Sequence, residues 1–204
     1  MNISLIGPNA AGKSTLLSAM VSLDLEVTPL SFSNFPIQKD ERKHRRLSSL
    51  NTSDIIQDRM YDVMCKWGLA FNKENFVANK NYLLDEVFLT KVLRCAPITK
   101  DSVNAFLTIF KALNEKIKHI EQQYTDAYIY IRPSEERWKK NISIRPSKAT
   151  SGDTYMSRFY SQIMCLEYYI ASLNETPVLM LKGVNKLEID RAKLFIESIL
   201  KSKL

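Results

Sequence analysis

The chain has 204 residues, 45% of them hydrophobic and 25% charged, which is ordinary for a folded domain. No apolar run reaches the roughly 18 residues that cross a bilayer, and the start lacks the basic and long apolar regions of a signal peptide, so a cytoplasmic protein without membrane contact is expected. Three scattered cysteines (Cys65, Cys95 and Cys165) argue against a disulfide framework or zinc site, while a net charge of +7 points to phosphate-bearing partners.

Asn2–Ile6 is short, apolar and β-prone, and reads as a buried strand. It runs into Gly7-Pro8-Asn9-Ala10-Ala11-Gly12-Lys13-Ser14, which fits G-x-x-x-x-G-K-[ST]. A loop of backbone N–H groups surrounds phosphate without side-chain bulk, and the helix that follows adds a favourable dipole. In such a loop Lys13 reaches the β- and γ-phosphates and the Ser14 hydroxyl ligates Mg²⁺, so ATP and Mg²⁺ are the expected cofactors, held by residues 7–14 with Thr15 beside them. Lys13–Val21 continues as a helix with Leu16, Leu17 and Met20 on one side.

A second strand is expected near 25–30, limited by Pro29. Residues 31–53 are polar and basic, with Arg42, Arg45 and Arg46, and read as a loop followed by a helix. Thr52-Ser53-Asp54 can cap the next helix, which carries Ile55, Ile56, Met60, Val63, Met64 and Trp67 and ends at Gly68. A third strand is expected to open "NYLLDEVFL" (81–89) and to end at Asp85-Glu86. A helix from about Thr99 to Gln123, a fourth strand at 126–133 stopped by Pro133, and a short helix at 135–141 follow. Residues 143–153 read as a polar loop. A long helix (154–174), a fifth strand (176–183) and a last helix (187–200) close the chain. Five buried strands alternating with helices predict a doubly wound parallel sheet covered on both faces, in a single domain spanning 1–204. Ligands of such sheets bind beyond the carboxyl ends of the strands.

The phosphate loop and the order of elements resemble the P-loop nucleoside and nucleotide kinases, of thymidylate-kinase and deoxynucleoside-kinase type. "GPNAAGKSTLL" with "LLDE" downstream superficially resembles ABC-type ATPases, but no Ser-Gly-Gly-Gln-type signature precedes Asp85. The kinase resemblance implies transfer of the γ-phosphate of ATP to a nucleoside or nucleotide, an acceptor-binding insertion at about 31–80 and a lid at about 132–153. It implies Asp85, with Glu86 next, as the acid that orients or deprotonates the acceptor or holds Mg²⁺ through water. Within "IYIRPSEERWKKNISIRPSK", it implies Arg137 and Arg145 as cations over the transferring phosphoryl, with Arg132 and Lys140 behind them. "VLMLKGVNKLE" falls where the family contacts adenine. The arginine that follows the family's strand-end acid is absent, and Arg59 and Arg94 are candidates to replace it.

The acceptor pocket is expected between the loop after the second strand and helix 54–67. There Phe35, Tyr61 and Trp67 are candidates to stack on a base, and Arg42, Arg45, Arg46 and Arg59 to bind an acceptor phosphate; core packing is the competing role of Tyr61 and Trp67. The isolated His44 and His119 take no role. Two basic segments, 39–46 and 137–148, carry five Lys/Arg each. They keep open a kinase acting on a hydroxyl within DNA, such as a hydroxymethylated pyrimidine, and a P-loop ATPase without kinase activity is a third reading. The resemblance leaves a homodimer open.

Overall fold

A computed structural model describes residues 1–30, 75–78, 125–144 and 152–202, with single positions at 108, 111, 114, 115, 118 and 122. The strands are β1 (Asn2–Ile6), β2 (Thr28–Leu30), β3 (Phe76–Ala78), β4 (Ala127–Ile131) and β5 (Val178–Leu181). The described helices are α1 (Lys13–Val21), α2 (Glu135–Ser143), α3 (Gly152–Ala171) and α4 (Lys186–Lys201). The six single positions between 108 and 122 are helical, within the helix expected there.

The strands form one parallel sheet in the order β2-β3-β1-β4-β5. β1 sits at its centre, with Ile3 opposite Val77 on one side and Ala127 on the other. The chain runs outward from β1 to the edge, returns to β3, then crosses β1 to reach β4. Pro29 lies in the edge strand β2, where a missing N–H leaves no ladder bond unmade on the open side. Residues 25–27, expected as part of this strand, instead lie in two successive turns, with Leu25 N–H donating to the Leu23 carbonyl and Val27 N–H to that of Leu25.

The third strand departs most from expectation. It is Phe76–Ala78, paired with both β1 and β2, and it lies upstream of residues 81–89, which fall outside the described residues. Three apolar residues between Asn75 and Asn79 are too short a run for periodicity to detect, whereas "YLLDEVFL" is longer and satisfies helical spacing as well as a strand's.

Alternation along the strands sorts two cores. Ile3, Leu5, Val77, Ala127, Ile129, Ile131 and Leu181 meet Leu16, Leu17 and Met20 of α1 and Ala192, Ile196 and Ile199 of α4. Tyr128 points oppositely, and its hydroxyl pairs with that of Tyr169 on α3 at 2.8 Å. Helices therefore cover both faces. Ser134 caps α2 by accepting from Arg137 N–H, and Asn185 caps α4 by accepting from Glu188 N–H. No helix of the described residues is long and apolar enough to cross a membrane.

Candidate active site

Because the sheet is parallel, β1, β4 and β5 all deliver their carboxyl ends to one edge. β1 ends in the Gly7–Ser14 loop, the candidate phosphate loop, β4 in Arg132 and α2, and β5 in Gly183-Val184 and α4. Gly7 lies so close to β4 that a Cβ there would stand 2.6 Å from the Ile131 carbonyl oxygen. Gly12, with φ of 104°, occupies the left-handed region and begins α1 without a side-chain cap. No acidic residue stands in the first turn of α1. That helix end therefore suits an anion: its first N–H groups have no intrahelical partners and its dipole favours negative charge. Lys13 folds back over the loop, its Nζ donating to the carbonyls of Gly7 (2.5 Å) and Pro8 (3.2 Å). Ser14 and Thr15 are exposed, which leaves the Ser14 hydroxyl accessible to a metal ion.

The crest of the loop is tied to two helices. Trp138 Nε1 donates to the Asn9 carbonyl at 2.6 Å, and Asn141 Nδ2 to the Ala10 carbonyl at 2.8 Å. The Asn9 N–H donates to Gln162 Oε1 on α3 at 2.8 Å. None of the three side chains was singled out from sequence. The available signals were Trp138, an aromatic ring inside a basic stretch, and Gln162, a polar residue within the apolar stripe of Phe159, Ile163 and Leu166.

Arg137 reaches across to the β5–α4 connection. Its Nη2 donates to the Val184 carbonyl at 2.6 Å, and its guanidinium fills the space a Cβ on Gly183 would need. Val184 in turn crowds Gly12, where a Cβ would meet its Cγ2 at 2.9 Å. Arg137 thus stands beside the phosphate loop with one donor engaged by backbone, a partner the sequence did not suggest.

The other cations of this segment differ. Arg132 pairs with Glu167 at 2.5 Å, and that hydrogen bond raises its pKa. Lys139 pairs with Glu135 at 2.6 Å, raising the lysine and, with help from the Tyr160 hydroxyl, lowering the carboxyl. Both pairs are exposed and add little to stability. Lys140 is exposed. Asp85, Glu86 and Arg145, the acceptor-pocket candidates Phe35, Arg42, Arg59, Tyr61 and Trp67, and Arg45, Arg46 and Arg94 lie outside the described residues. β3 ends at Ala78, and Asp85, expected at the end of the third strand, lies seven residues further along the chain.

This architecture is shared with solved structures. A deoxyadenosine kinase from M. mycoides with bound dATP matches with a TM-score of 0.58 at 18% identity, over 97% of this chain and 99% of that one. The same enzyme with the products dCMP and a flexible dCDP bound gives 0.57 at 19% identity, over 97% and 100%. With bound dCTP it gives 0.56 at 17% identity, over 97% and 100%. The chain has the deoxynucleoside-kinase fold. In this kinase fold the phosphate loop, Arg137 and the Gly183-Val184 connection share the carboxyl edge of the sheet. No family model matches the sequence, and no curated protein does.

Proposed function

We propose that the protein is an ATP- and Mg²⁺-dependent phosphotransferase that moves the γ-phosphate of ATP to a nucleoside or nucleotide. The observation that carries the reading is the uncapped, acid-free N-terminus of α1 behind Gly7–Lys13, in a sheet whose fold is that of deoxynucleoside kinases. The exposed Ser14 hydroxyl suits a hard cation that prefers oxygen ligands, and Asp85 is the acid proposed to join it. Bound there, Mg²⁺ neutralises phosphate charge.

The chain's own residues then have defined tasks. Lys13 exchanges its Gly7 and Pro8 carbonyl partners for phosphate oxygens. The loop amides orient the β- and γ-phosphates for in-line transfer. Asp85, or Glu86 beside it, accepts the proton of the acceptor hydroxyl as its oxygen bonds to the γ-phosphorus and the bond to the β-phosphate oxygen breaks. Arg137 and Arg145 offset the charge on the transferring group. The Gly183-Val184 connection borders the donor base, and Phe35, Arg42, Arg59, Tyr61 and Trp67 hold the acceptor. A small acceptor fits better than a polymer, because Arg132 and Lys139 already have partners within the fold.

The test is labelled ATP with Mg²⁺ and a panel of nucleosides, nucleotides and DNA oligomers. Label on a monomer supports the reading. Label released solely as free phosphate, or carried solely by an oligomer, overturns it. Lys13→Ala is expected to reduce transfer by about 100-fold or more, as removal of a donor to the transition-state charge does elsewhere.

A further inference from the structure

Three consecutive peptides at the crest of the phosphate loop are each held at a specified polarity. The Pro8–Asn9 peptide gives its N–H to Gln162 Oε1, and its carbonyl accepts from Ala11 N–H at 3.1 Å. The Asn9–Ala10 peptide gives its carbonyl to Trp138 Nε1, and the Ala10–Ala11 peptide gives its carbonyl to Asn141 Nδ2. In a planar trans peptide the N–H points opposite to the carbonyl. Anchoring the Asn9 carbonyl therefore aims the Ala10 N–H away from α2, and no acceptor among the described residues takes that N–H.

The backbone at this point is strained. Ala10 has φ of 66°, the one positive φ at a non-glycine among the described residues. The left-handed region disfavours any residue with a Cβ, and such a conformation persists where its surroundings over-determine it. The surroundings here are rigid. Trp138 is 3% exposed and its ring lies 4.6 Å from that of Phe159. Gln162 is 2% exposed on a helix whose Tyr169 is also hydrogen-bonded to the sheet. The chemistry of each anchor also fits its target: indole and amide nitrogens donate to carbonyls, and an amide oxygen accepts from an N–H.

We infer that Trp138, Asn141 and Gln162 are positioning residues that hold Ala10 in its left-handed conformation and present its N–H to the phosphates of the nucleotide. The inference rests on the phosphate-binding reading above and adds to it how the loop is shaped before ligand arrives. Such preorganisation removes an ordering cost from binding.

The experiment measures ATP affinity by calorimetry with Mg²⁺, and the melting temperature of the ligand-free protein, for Asn141→Leu, Gln162→Met, Ala10→Gly and the pairwise combinations with Ala10→Gly. Asn141→Leu is expected to weaken ATP binding about tenfold, the worth of one well-made hydrogen bond. Ala10→Gly alone supplies the reference affinity against which its double variants are read. In its background the Asn141→Leu loss shrinks to about threefold, because glycine takes φ of this sign without penalty. Gln162→Met follows the same pattern, so a failure of one variant to fold leaves the other to decide. A merely structural role predicts lower melting temperatures that Ala10→Gly does not mend. Wild-type affinity in both anchor variants, or an undiminished loss in the glycine background, overturns the positioning role while Lys13→Ala still abolishes binding. A wild-type protein that binds no nucleoside triphosphate overturns the phosphate-site reading itself, and the positioning role with it.

Discussion

The two faces of the sheet are built from the same strands by different physics. Toward α1 and α4, β1 and β4 present Ile3, Leu5, Ala127, Ile129 and Ile131 to Leu16, Met20, Ala192 and Ile196. Cohesion there is burial and dispersion, which favour contact without fixing direction. Toward α3, Tyr128 meets Tyr169 edge to face, with ring centroids 5.8 Å apart, planes at 81° and hydroxyls hydrogen-bonded. Ser4 Oγ lies 3.4 Å from Thr125 Oγ1 on the same polar side. The segment "AYIYI" of β4 writes both faces by alternation. Apolar contact can slide, whereas a hydroxyl pair at a set distance fixes the rotation of α3, the helix that brings Gln162 to the phosphate loop. The face that carries the hydroxyl pair is the one that registers the site.

Substitutions on the two faces sharpen this contrast. Ile129→Ala, at the centre of the aliphatic face, is expected to destabilise by about 3 kcal/mol and to lower the melting temperature by about 10 °C. Tyr128→Phe removes one member of the buried hydroxyl pair, and chemical denaturation should read a loss of about 1–2 kcal/mol. The double change Tyr128→Phe/Tyr169→Phe should lose less than the sum of the singles, since both singles remove the same hydrogen bond. If the losses simply add, the hydroxyl pair does not stabilise the polar face.

Alkaline pH should act through the α3 side. Burial pushes the Cys165 thiol from an ordinary 9.0 up to about 12. Burial, with the nearby Glu167 charge, also raises the Tyr130 phenol. The folded thiol keeps its proton where the unfolded one gives it up. This contribution is intact below pH 9 and declines as pH rises toward 12. Urea titrations from pH 8 to pH 11 should show that decline, less steep in Cys165→Ala. The smallest expected effect is at Tyr130, whose hydroxyl is buried without a hydrogen-bond partner among the described residues. Tyr130→Phe should leave stability within about 0.5 kcal/mol of the wild type or raise it, in contrast to Tyr128→Phe two residues away.

Elements specified by near neighbours were legible from sequence. The strand–loop–helix at 2–21, β4, and the helices after Ser134 and Asn185 rest on short apolar runs, glycine spacing and local caps. The uncapped Gly12 and the Lys13-Ser14 pair were legible for the same reason. β3 was not, because a three-residue strand acquires its identity from pairing with β1 and β2, not from its own pattern. The role of Arg132 was not legible either, since a basic run does not reveal that Glu167, 35 residues away, stands opposite, whereas the Glu135–Lys139 pair is local, one turn apart on α2.

Sequence by itself determined that a G-x-x-x-x-G-K-S loop joins a buried first strand to a helix, and that strands and helices follow one another in the manner of a parallel sheet. Those features depend on contacts a few residues apart. Tertiary structure alone decided the strand order and the grip on the loop: Trp138 and Asn141 lie 129 and 131 residues from the carbonyls they hold, and Gln162 lies 153 residues from its amide. A hydrogen bond across such a distance exists once β4 is seated beside β1 and α3 is seated on their polar face, and no local periodicity encodes it.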